Sequence, residues 1–425
     1  MVRGLFYGWV IIAAAAIIMF GVSGARFSFG IFIRPLQQEF GWDRAALAGA
    51  ASINLLLSGL LRPAAGYLAD RYGPKLVALA GVAVAAVALG SMPFVQNIWH
   101  MYLVYTLLGI SLATSSLATL APLAARWFER QRGLALSILS AGTAAGEVLI
   151  VPGAMLVLLL TDWRTTYTAL AVLLGLVILP VGLLLIRNDP EALGLRPDGD
   201  SVARAAAAAA KRAYVRDVPL REAVRTPVFW QLSFGYAVCG FTMAFANTHM
   251  AVWAMDMGFS ELMAAGAVGL IGGFSIAGAL IFGWLSDHLT RKNLLAFVYL
   301  LRGAAFLVLL RVGLHDESLL FLGAAVLGFS WTATVPLTTA IVADHFGRRA
   351  LATIAGTMFA VMPLATALGA WLGGFVYDQA HDYILSLAMS AVAGLLASVV
   401  VFACAPAPRP APAAEGVAAL SGGSE

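Results

Sequence analysis

The chain has 425 residues, of which 61% are apolar or aromatic and only 11% are charged. A soluble domain has about a quarter of its residues charged, so a soluble enzyme is excluded and the membrane must be the main solvent. The charged residues, which sum to a net charge of +4, lie in short gaps between apolar runs. They form no basic stripe or aromatic platform, which argues against nucleic acid as a partner.

Twelve apolar windows are long enough to cross a lipid bilayer as helices, each of which needs about 20 residues. Spanning β-strands would alternate apolar and polar residues, whereas these windows are apolar on every face. We therefore predict an all-α membrane protein of twelve transmembrane helices in two pseudo-symmetric six-helix bundles. The windows are 7–33, 45–68, 76–95, 99–124, 133–160, 165–187, 227–256, 262–285, 293–313, 317–343, 350–376 and 383–404.

The longest polar stretch divides the chain into two halves. We predict an N-terminal six-helix bundle over 1–187, a linker over 188–226, a C-terminal six-helix bundle over 227–404 and a disordered tail over 405–425, rich in Pro, Ala, Gly and Ser. Two interpretations of segment 211–225 stay open. It is either a basic amphipathic helix on the inner leaflet or part of a solvated tether.

Lys and Arg near the window ends predict the orientation. Nineteen of them fall on the side of the linker and four on the other side. Because the cytoplasmic side carries the positive excess, we expect both termini in the cytoplasm.

An internal repeat relates the two halves. Segment 66–75 reads Gly-Tyr-Leu-Ala-Asp-Arg-Tyr-Gly-Pro-Lys, and segment 283–292, 217 residues later, reads Gly-Trp-Leu-Ser-Asp-His-Leu-Thr-Arg-Lys. Each segment ends the second window of its half. Two related halves around a central interface are an architecture of transporters, with substrate sites near the midplane where the repeats meet.

The Gly-x-Leu-Ala/Ser-Asp-x-x-x-x-Lys loop in both halves resembles the signature of the major facilitator superfamily. Further stretches resemble bacterial members of its monocarboxylate and oxalate/formate porter group. They are Tyr7-Gly8-Trp9, Arg26-Phe27-Ser28-Phe29-Gly30, Phe40-Gly41-Trp42, Leu193-Gly194-Leu195-x-Pro197-Asp198, Arg225-Thr226-Pro227-x-Phe229-Trp230 and Gly373-Gly374-x-x-Tyr377-Asp378.

The resemblance implies the major facilitator fold and a secondary active transporter of a small organic anion, monocarboxylate-like, in a bacterial cytoplasmic (inner) membrane. Alternating access would couple the anion to protons or to a counter-anion. We expect a monomer in the lipid bilayer, without nucleic acid, metal or other cofactor.

The signature loops predict a gate on the linker side. A small residue at Gly66 permits close helix approach, Gly73 permits a tight turn, and Asp70 suits either the positive end of a neighbouring helix or an Arg such as Arg126. The alternative is a static loop that only sets topology. The gating candidates are Gly66, Asp70, Arg71, Gly73, Lys75, Arg126, Gly283, Asp287 and Arg291.

Ionisable groups deep in hydrocarbon cost about 2.5 kcal/mol or more and are functional candidates by default. The rise of 1.5 Å per residue places Arg26 in the outer half of the first window and Glu147 well inside the fifth. We expect Arg26 to anchor the anion and Glu147 to accept the coupling proton, the alternative being a permanent salt bridge between them.

Other polar groups inside the windows complete the candidate substrate site. For Arg62, substrate contact and snorkelling to the inner interface both stay open, and for Arg302 a structural role is favoured. His249 is also a candidate for proton coupling, because histidine titrates near neutral pH, or is merely hydrogen-bonded at the rim. The candidate substrate contacts are Arg26, Arg62, Asn247, His249, Arg302 and Trp331.

The chain departs from the family pattern in one respect that bears on the substrate. Better-studied monocarboxylate and oxalate carriers place an essential Arg on the eighth span, about where Ala279 stands here, and sometimes an Asp where Ser275 stands. Either the anion anchor has moved to Arg62 or Arg26, or the substrate differs.

Two other function classes are weighed. Gly133, Gly142 and Gly146 match the first part of a drug-antiporter motif, but Glu147 replaces the Pro that should follow, so efflux of a drug or lipophilic compound is the second choice. A membrane enzyme has no supporting motif, since a metal-binding His pair, a nucleophile elbow and a Walker loop are all absent from the sequence.

Overall fold

The computed structural model describes residues 6–199, 217–314 and 316–406. Within those ranges every regular element is a helix, which confirms the predicted all-α fold. Eleven described helices are long and apolar enough to cross a membrane, and span 2 contributes the shorter apolar helix Gly49–Leu60.

Twelve spans follow one another along the described part of the chain, several of them built from two or three helices that meet at a break. Spans 1 to 6 are Tyr7–Phe27 with Phe29–Phe40, Arg44–Leu60 with Arg62–Tyr72, Pro74–Ser91, Ile98–Thr114 with Leu117–Trp127, Arg132–Leu160, and Trp163–Val172 with Leu173–Ile178 and Leu179–Leu185. Spans 7 to 12 are Pro227–Ala244 with Phe245–His249 and Met250–Asp256, Glu261–Ser286, Arg291–Leu309, Glu317–Phe329 with Thr334–Phe346, Leu351–Phe359 with Val361–Ala380, and Ile384–Phe402.

The breaks in spans 2 and 11 coincide with prolines, Pro63 and Pro363. Because proline has no N–H, the carbonyl four residues before it loses its helical partner. The carbonyls concerned are those of Gly59 and Phe359. Both windows were predicted from the sequence as continuous helices, and the prolines account for the difference.

The two halves meet along a seam, defined here as the interface between spans 1–6 and spans 7–12. Span 5 packs against span 8, and span 2 packs against span 11. The breaks in spans 2 and 11 touch each other, because a Cβ on Gly59 would lie 2.6 Å from Cγ of Pro363. The seam thus brings together the two spans whose helices are interrupted.

Within the first half, spans 1 and 5 are close neighbours. A Cβ on Gly142 would lie 2.5 Å from the Ala16 carbonyl oxygen, and one on Gly146 would overlap the Phe20 carbonyl. These glycines therefore serve a tight helix crossing, which places span 1 and the segment around Glu147 side by side.

Both described ends of the linker are fixed to loops between spans. The backbone N–H groups of Glu129 and Arg130 donate to the Asp198 carboxylate at 3.0 Å, and those of Arg348 and Arg349 donate to Asp217 at 2.9 and 3.2 Å. We call the side of the bundle where these contacts lie the linker side.

The predicted amphipathic helix over 211–225 lies partly outside the described residues. Its described part begins without regular structure at 217–219 and continues as the short helix Leu220–Ala223. The tail after residue 406 also lies outside the described residues.

Candidate functional site

The Asp70 carboxylate crosses the seam to the start of span 11. It accepts hydrogen bonds from the backbone N–H groups of Ala352 and Thr353 at 3.2 and 2.8 Å, and from the Thr353 hydroxyl at 2.6 Å. These are the second and third residues of the helix Leu351–Phe359, where backbone donors lack helical partners and the helix dipole is positive. We call this the first seam contact.

Asp287 makes the corresponding contact in the second half. Its carboxylate accepts hydrogen bonds from the N–H groups of Gly133 and Leu134 at 2.7 and 3.0 Å, again the second and third residues of a helix, here Arg132–Leu160 of span 5. Arg291 donates to the same carboxylate at 3.2 Å. We call this the second seam contact.

A network of charges adjoins the second seam contact. The Asp344 carboxylate, at the end of span 10, pairs with Arg291 at 2.6 Å and with Arg132 across the seam at 3.1 Å. Arg348 and Glu129 form another pair across the seam at 3.3 Å. No ion pair of Arg132 or Arg348 and no role for Asp344 is predicted from the sequence, because a charge at a span end carries no sign of its partner.

Glycine allows the close helix approach at both seam contacts. A Cβ on Gly66 would overlap the Ala352 carbonyl, and a Cβ on Gly283 would overlap the Ser137 side chain and lie 2.9 Å from the Gly133 carbonyl oxygen. Each signature glycine therefore packs directly on the span that the nearby aspartate holds.

The remaining gating candidates lie within the first half and its linker. Arg126 pairs with Asp189 at 3.0 Å rather than directly with Asp70, and Lys75 donates to the Leu183 carbonyl at 2.8 Å. Arg71 is exposed and donates to the Tyr67 hydroxyl. Gly73 has a φ of +91°, as the tight turn requires. None of these described contacts crosses the seam.

Arg26 and Glu147 lie near each other on spans 1 and 5. The opposite charges of the two groups attract each other, and Arg62 is a second charged neighbour of Arg26. Among the described side chains no direct ion pair joins Arg26 to Glu147. The Arg26 guanidinium carbon lies 4.7 Å from the ring centroid of Phe27. Three ionisable groups thus lie close together on spans 1, 2 and 5.

Arg62 bridges the two breaks at the seam. Its Nη1 donates to the Phe359 carbonyl at 2.9 Å, the carbonyl that Pro363 leaves without a helical donor. The Tyr236 side chain of span 7 is its electrostatic neighbour, and the Tyr236 ring stacks on Phe359 with a centroid distance of 4.0 Å. The sequence did not predict this contact across the seam, and substrate contact by Arg62 stays a prediction.

His249 ends a π-helical turn, Phe245–His249, in span 7. Its Nε2 lies 3.0 Å from the Ala370 carbonyl oxygen of span 11, and its Nδ1 lies 3.4 Å from the Tyr383 hydroxyl. The side chain is buried, whereas Asn247 in the same turn is exposed. The hydrogen-bonded alternative for His249 matches this geometry better than a cavity-lining one.

Arg302 is fully buried within the second half. Its Nη2 donates to the carbonyls of Ser330 and Trp331 at 2.5 and 2.7 Å, just beyond the end of the helix Glu317–Phe329. The guanidinium therefore supplies the donors that the break in span 10 leaves missing. Trp331 is itself buried beside it, so the geometry favours structural roles for both residues over substrate contact.

The chain matches the family model described as Major Facilitator Superfamily over residues 15–314 and 274–420. A Bacillus subtilis (strain 168) protein described as an uncharacterized MFS-type transporter, YcxA, is 27% identical over 92% of this chain and 94% of its own. The oxalate:formate antiporter of Oxalobacter formigenes is 22% identical, covering 92% and 91% of the two chains. Human monocarboxylate transporter 11 is 27% identical, covering 90% and 80%.

Solved structures give the same fold. The proton:xylose symporter XylE bound to a bromodeoxyglucose superposes with a TM-score of 0.72 at 14% sequence identity, over 92% of this chain and 94% of that one. At this identity the likeness concerns the fold alone.

Proposed function

Since the chain belongs to the Major Facilitator Superfamily, we propose that it carries a small, monocarboxylate-like organic anion across the membrane by alternating access. The observation that supports this most directly is that Arg62 lies at the seam with Arg26 as its charged neighbour, and neither guanidinium has a carboxylate in direct ion-pair contact among the described side chains. A guanidinium enclosed at membrane depth is costly without an anion, so an anionic substrate suits this site.

The names of two relatives support the same class of substrate. One is an oxalate:formate antiporter and the other a monocarboxylate transporter, and both names denote small carboxylic acids. In this chain Ala279 and Ser275 of span 8 are buried and carry no charge. The anion anchor is therefore assigned to the first half, with Arg26 as the primary contact.

Gating is assigned to the two seam contacts. In this proposal the linker side faces the cytoplasm, and Asp70 and Asp287 hold it closed while the substrate site is reached from the other side. Opening the linker side requires both carboxylates to leave the helix ends that they contact. Those helix ends lie in spans 11 and 5, on opposite sides of the seam.

Coupling is assigned to Glu147. An incoming carboxylate replaces Glu147 as the charged neighbour of Arg26, and a proton that binds Glu147 neutralises the charge thus displaced. The anion then enters together with a proton. If a second anion leaves in exchange, Glu147 keeps its charge state and the cycle becomes antiport.

The test is uptake of labelled lactate, pyruvate, formate and oxalate into proteoliposomes under an imposed pH gradient, alongside export of a fluorescent dye. We expect uptake of at least one acid and no dye export. Dye export without uptake of any acid would instead support the efflux antiporter, the second choice of the sequence analysis.

The Glu147→Gln variant tests the coupling. It should lower uptake driven by a pH gradient about tenfold and spare exchange of one anion for another, because only the first mode needs a titrating carboxyl. Glu261→Gln, which changes an exposed carboxyl at the start of span 8, is the matched control. Unchanged proton dependence in Glu147→Gln would remove Glu147 from the mechanism.

A further inference from the structure

Arg62 contacts the two spans of the second half that face it at the seam. It stands where span 2 breaks, donates to the last carbonyl of the first helix of span 11, and has Tyr236 of span 7 as its neighbour. A Cβ on Gly356 would lie 2.5 Å from the Arg62 carbonyl oxygen, so the backbones are in contact as well.

The partner of Arg62 is a weak one for a guanidinium. The Phe359 carbonyl is neutral, and it is available only because Pro363, four residues later, has no N–H to give it. The Nε of Arg62 is buried and has no hydrogen-bond partner in the described structure. Arg62 thus has two neutral partners, the Phe359 carbonyl and the Tyr236 hydroxyl beside it, and one unused donor.

A carboxylate would satisfy this guanidinium better. Its two oxygens match two N–H groups of arginine, and such charge-assisted bonds are about twice as strong as neutral ones. Arg62 and Arg26 are charged neighbours, so an anion held by Arg26 lies within electrostatic influence of Arg62.

We propose that the hydrogen bond from Arg62 to the Phe359 carbonyl is a bridge between the two halves, and that the transported anion breaks this bond. The anion's carboxylate replaces the Phe359 carbonyl as the hydrogen-bond acceptor of the guanidinium, while Tyr236 positions the guanidinium. The Phe359 carbonyl then lacks a donor at the break in span 11, and the contact between spans 2 and 11 loosens. This inference rests on the proposed transport of an organic anion and adds how binding reaches the seam.

Proline substitution offers a direct test of the competition. Pro363→Ala restores an N–H four residues after Phe359, so the carbonyl no longer needs Arg62. The freed guanidinium should bind the anion about threefold more tightly, as expected from removing one neutral hydrogen bond. Pro122→Ala, in the helix Leu117–Trp127 of span 4, is the matched control and should bind like the unmodified protein.

Two side-chain variants test the bridge independently of the proline. Arg62→Gln removes a charged hydrogen bond to the anion and should weaken anion binding about tenfold or more. Tyr236→Phe removes a neutral hydrogen bond and should weaken anion binding about threefold. Tyr299→Phe is the control for Tyr236→Phe, since the buried Tyr299 hydroxyl has no partner in the described structure. Arg62→Lys should recover part of the affinity, because it keeps the charge without the fork of donors.

The experiment measures binding of lactate, pyruvate, formate and oxalate, each in turn, to the full chain by calorimetry. Hydrogen–deuterium exchange of segment 351–362 is followed on the same samples. The anion that binds should raise exchange in this segment in the unmodified protein and leave it unchanged in Arg62→Gln at saturation.

Two outcomes would overturn the proposal. If the acid binds but exchange in 351–362 stays constant, or if Arg62→Gln binds as well as the unmodified protein, the bridge is wrong while anion transport stands. If none of the four acids is bound or transported, the proposed function fails and the bridge fails with it.

Discussion

The two seam contacts are built on the same helix positions but have different surroundings. Asp70 and Asp287 both accept from the second and third N–H groups of a helix in the opposite half. Among the described residues, the Asp70 carboxylate accepts one further hydrogen bond, from the Thr353 hydroxyl, and it borders a cavity of about 530 Å³. Asp287 adds Arg291, which continues to Asp344.

This difference separates what the repeat shares from what each half adds. The shared part is a carboxylate at a helix N-terminus, where unpaired N–H groups and the dipole favour an anion. The second copy of the signature departs more from the pattern, yet it carries the larger set of ion pairs. The charges around Asp287 should therefore contribute more to closing the linker side than the neutral bonds around Asp70.

The largest effect is expected from Asp344→Ala. This change leaves Arg132 and Arg291, both largely buried, without their shared carboxylate, and breaking such a pair costs about 3 kcal/mol. Thermal unfolding in detergent should show the loss. Asp256→Ala, which removes an exposed carboxylate at the end of span 7, is the control, and equal melting temperatures for the two variants would contradict the comparison.

A smaller effect is expected from alanine at the signature glycines. The three atoms nearest to a Cβ at Gly66 are all backbone atoms of span 11, at Ala352 and Thr353, whereas the nearest to a Cβ at Gly283 belong to the Ser137 side chain. Gly66→Ala should therefore destabilise the closed linker side by about 2 kcal/mol and Gly283→Ala by less. Faster hydrogen–deuterium exchange of residues 349–356 in Gly66→Ala would report the opening. A larger destabilisation by Gly283→Ala than by Gly66→Ala would show that movement of the Ser137 side chain does not relieve the overlap.

The smallest effect is expected from Thr353→Val, which removes one hydroxyl bond to Asp70 and keeps the two backbone bonds. A hydroxyl that donates to a charged carboxylate contributes about 1.5 kcal/mol. The melting temperature of this variant should lie between those of the unmodified protein and Asp70→Ala. A loss as large as that of Asp70→Ala would mean that the helix N-terminus contributes little to the first seam contact.

Much of this arrangement follows from sequence, and the reasons are physical. Apolar windows of sufficient length can only be helices in lipid, which predicts the fold. The repeated Gly-x-Leu-x-Asp loop singles out the two carboxylates, for which a helix end and an arginine were both open as partners. The direct partners of Arg126 and Arg62 do not follow. Arg126 forms an ion pair with Asp189, a linker residue. Arg62 donates to a carbonyl that lacks a helical donor because of a proline on another span.

Contacts of that kind depend on tertiary packing, which local patterns do not encode. Asp344 is the clearest case, since nothing near it in the sequence indicates that it joins Arg132 to Arg291. The prolines of spans 2 and 11 were a usable signal. Each marks a carbonyl without a helical donor, and such a carbonyl is a candidate partner for a nearby buried cation.

The central claim is that Arg26 and Arg62 hold an organic anion at the seam. The most direct measurement is a thermal-shift screen of lactate, pyruvate, formate and oxalate on the unmodified protein, on Arg26→Ala and on Arg62→Ala, with Arg311→Ala, an exposed loop residue, as the control. We predict that at least one acid raises the melting temperature of the unmodified protein and of Arg311→Ala, and that the shift is lost in Arg26→Ala and reduced in Arg62→Ala. An equal shift in all four proteins, or no shift with any acid, would contradict it.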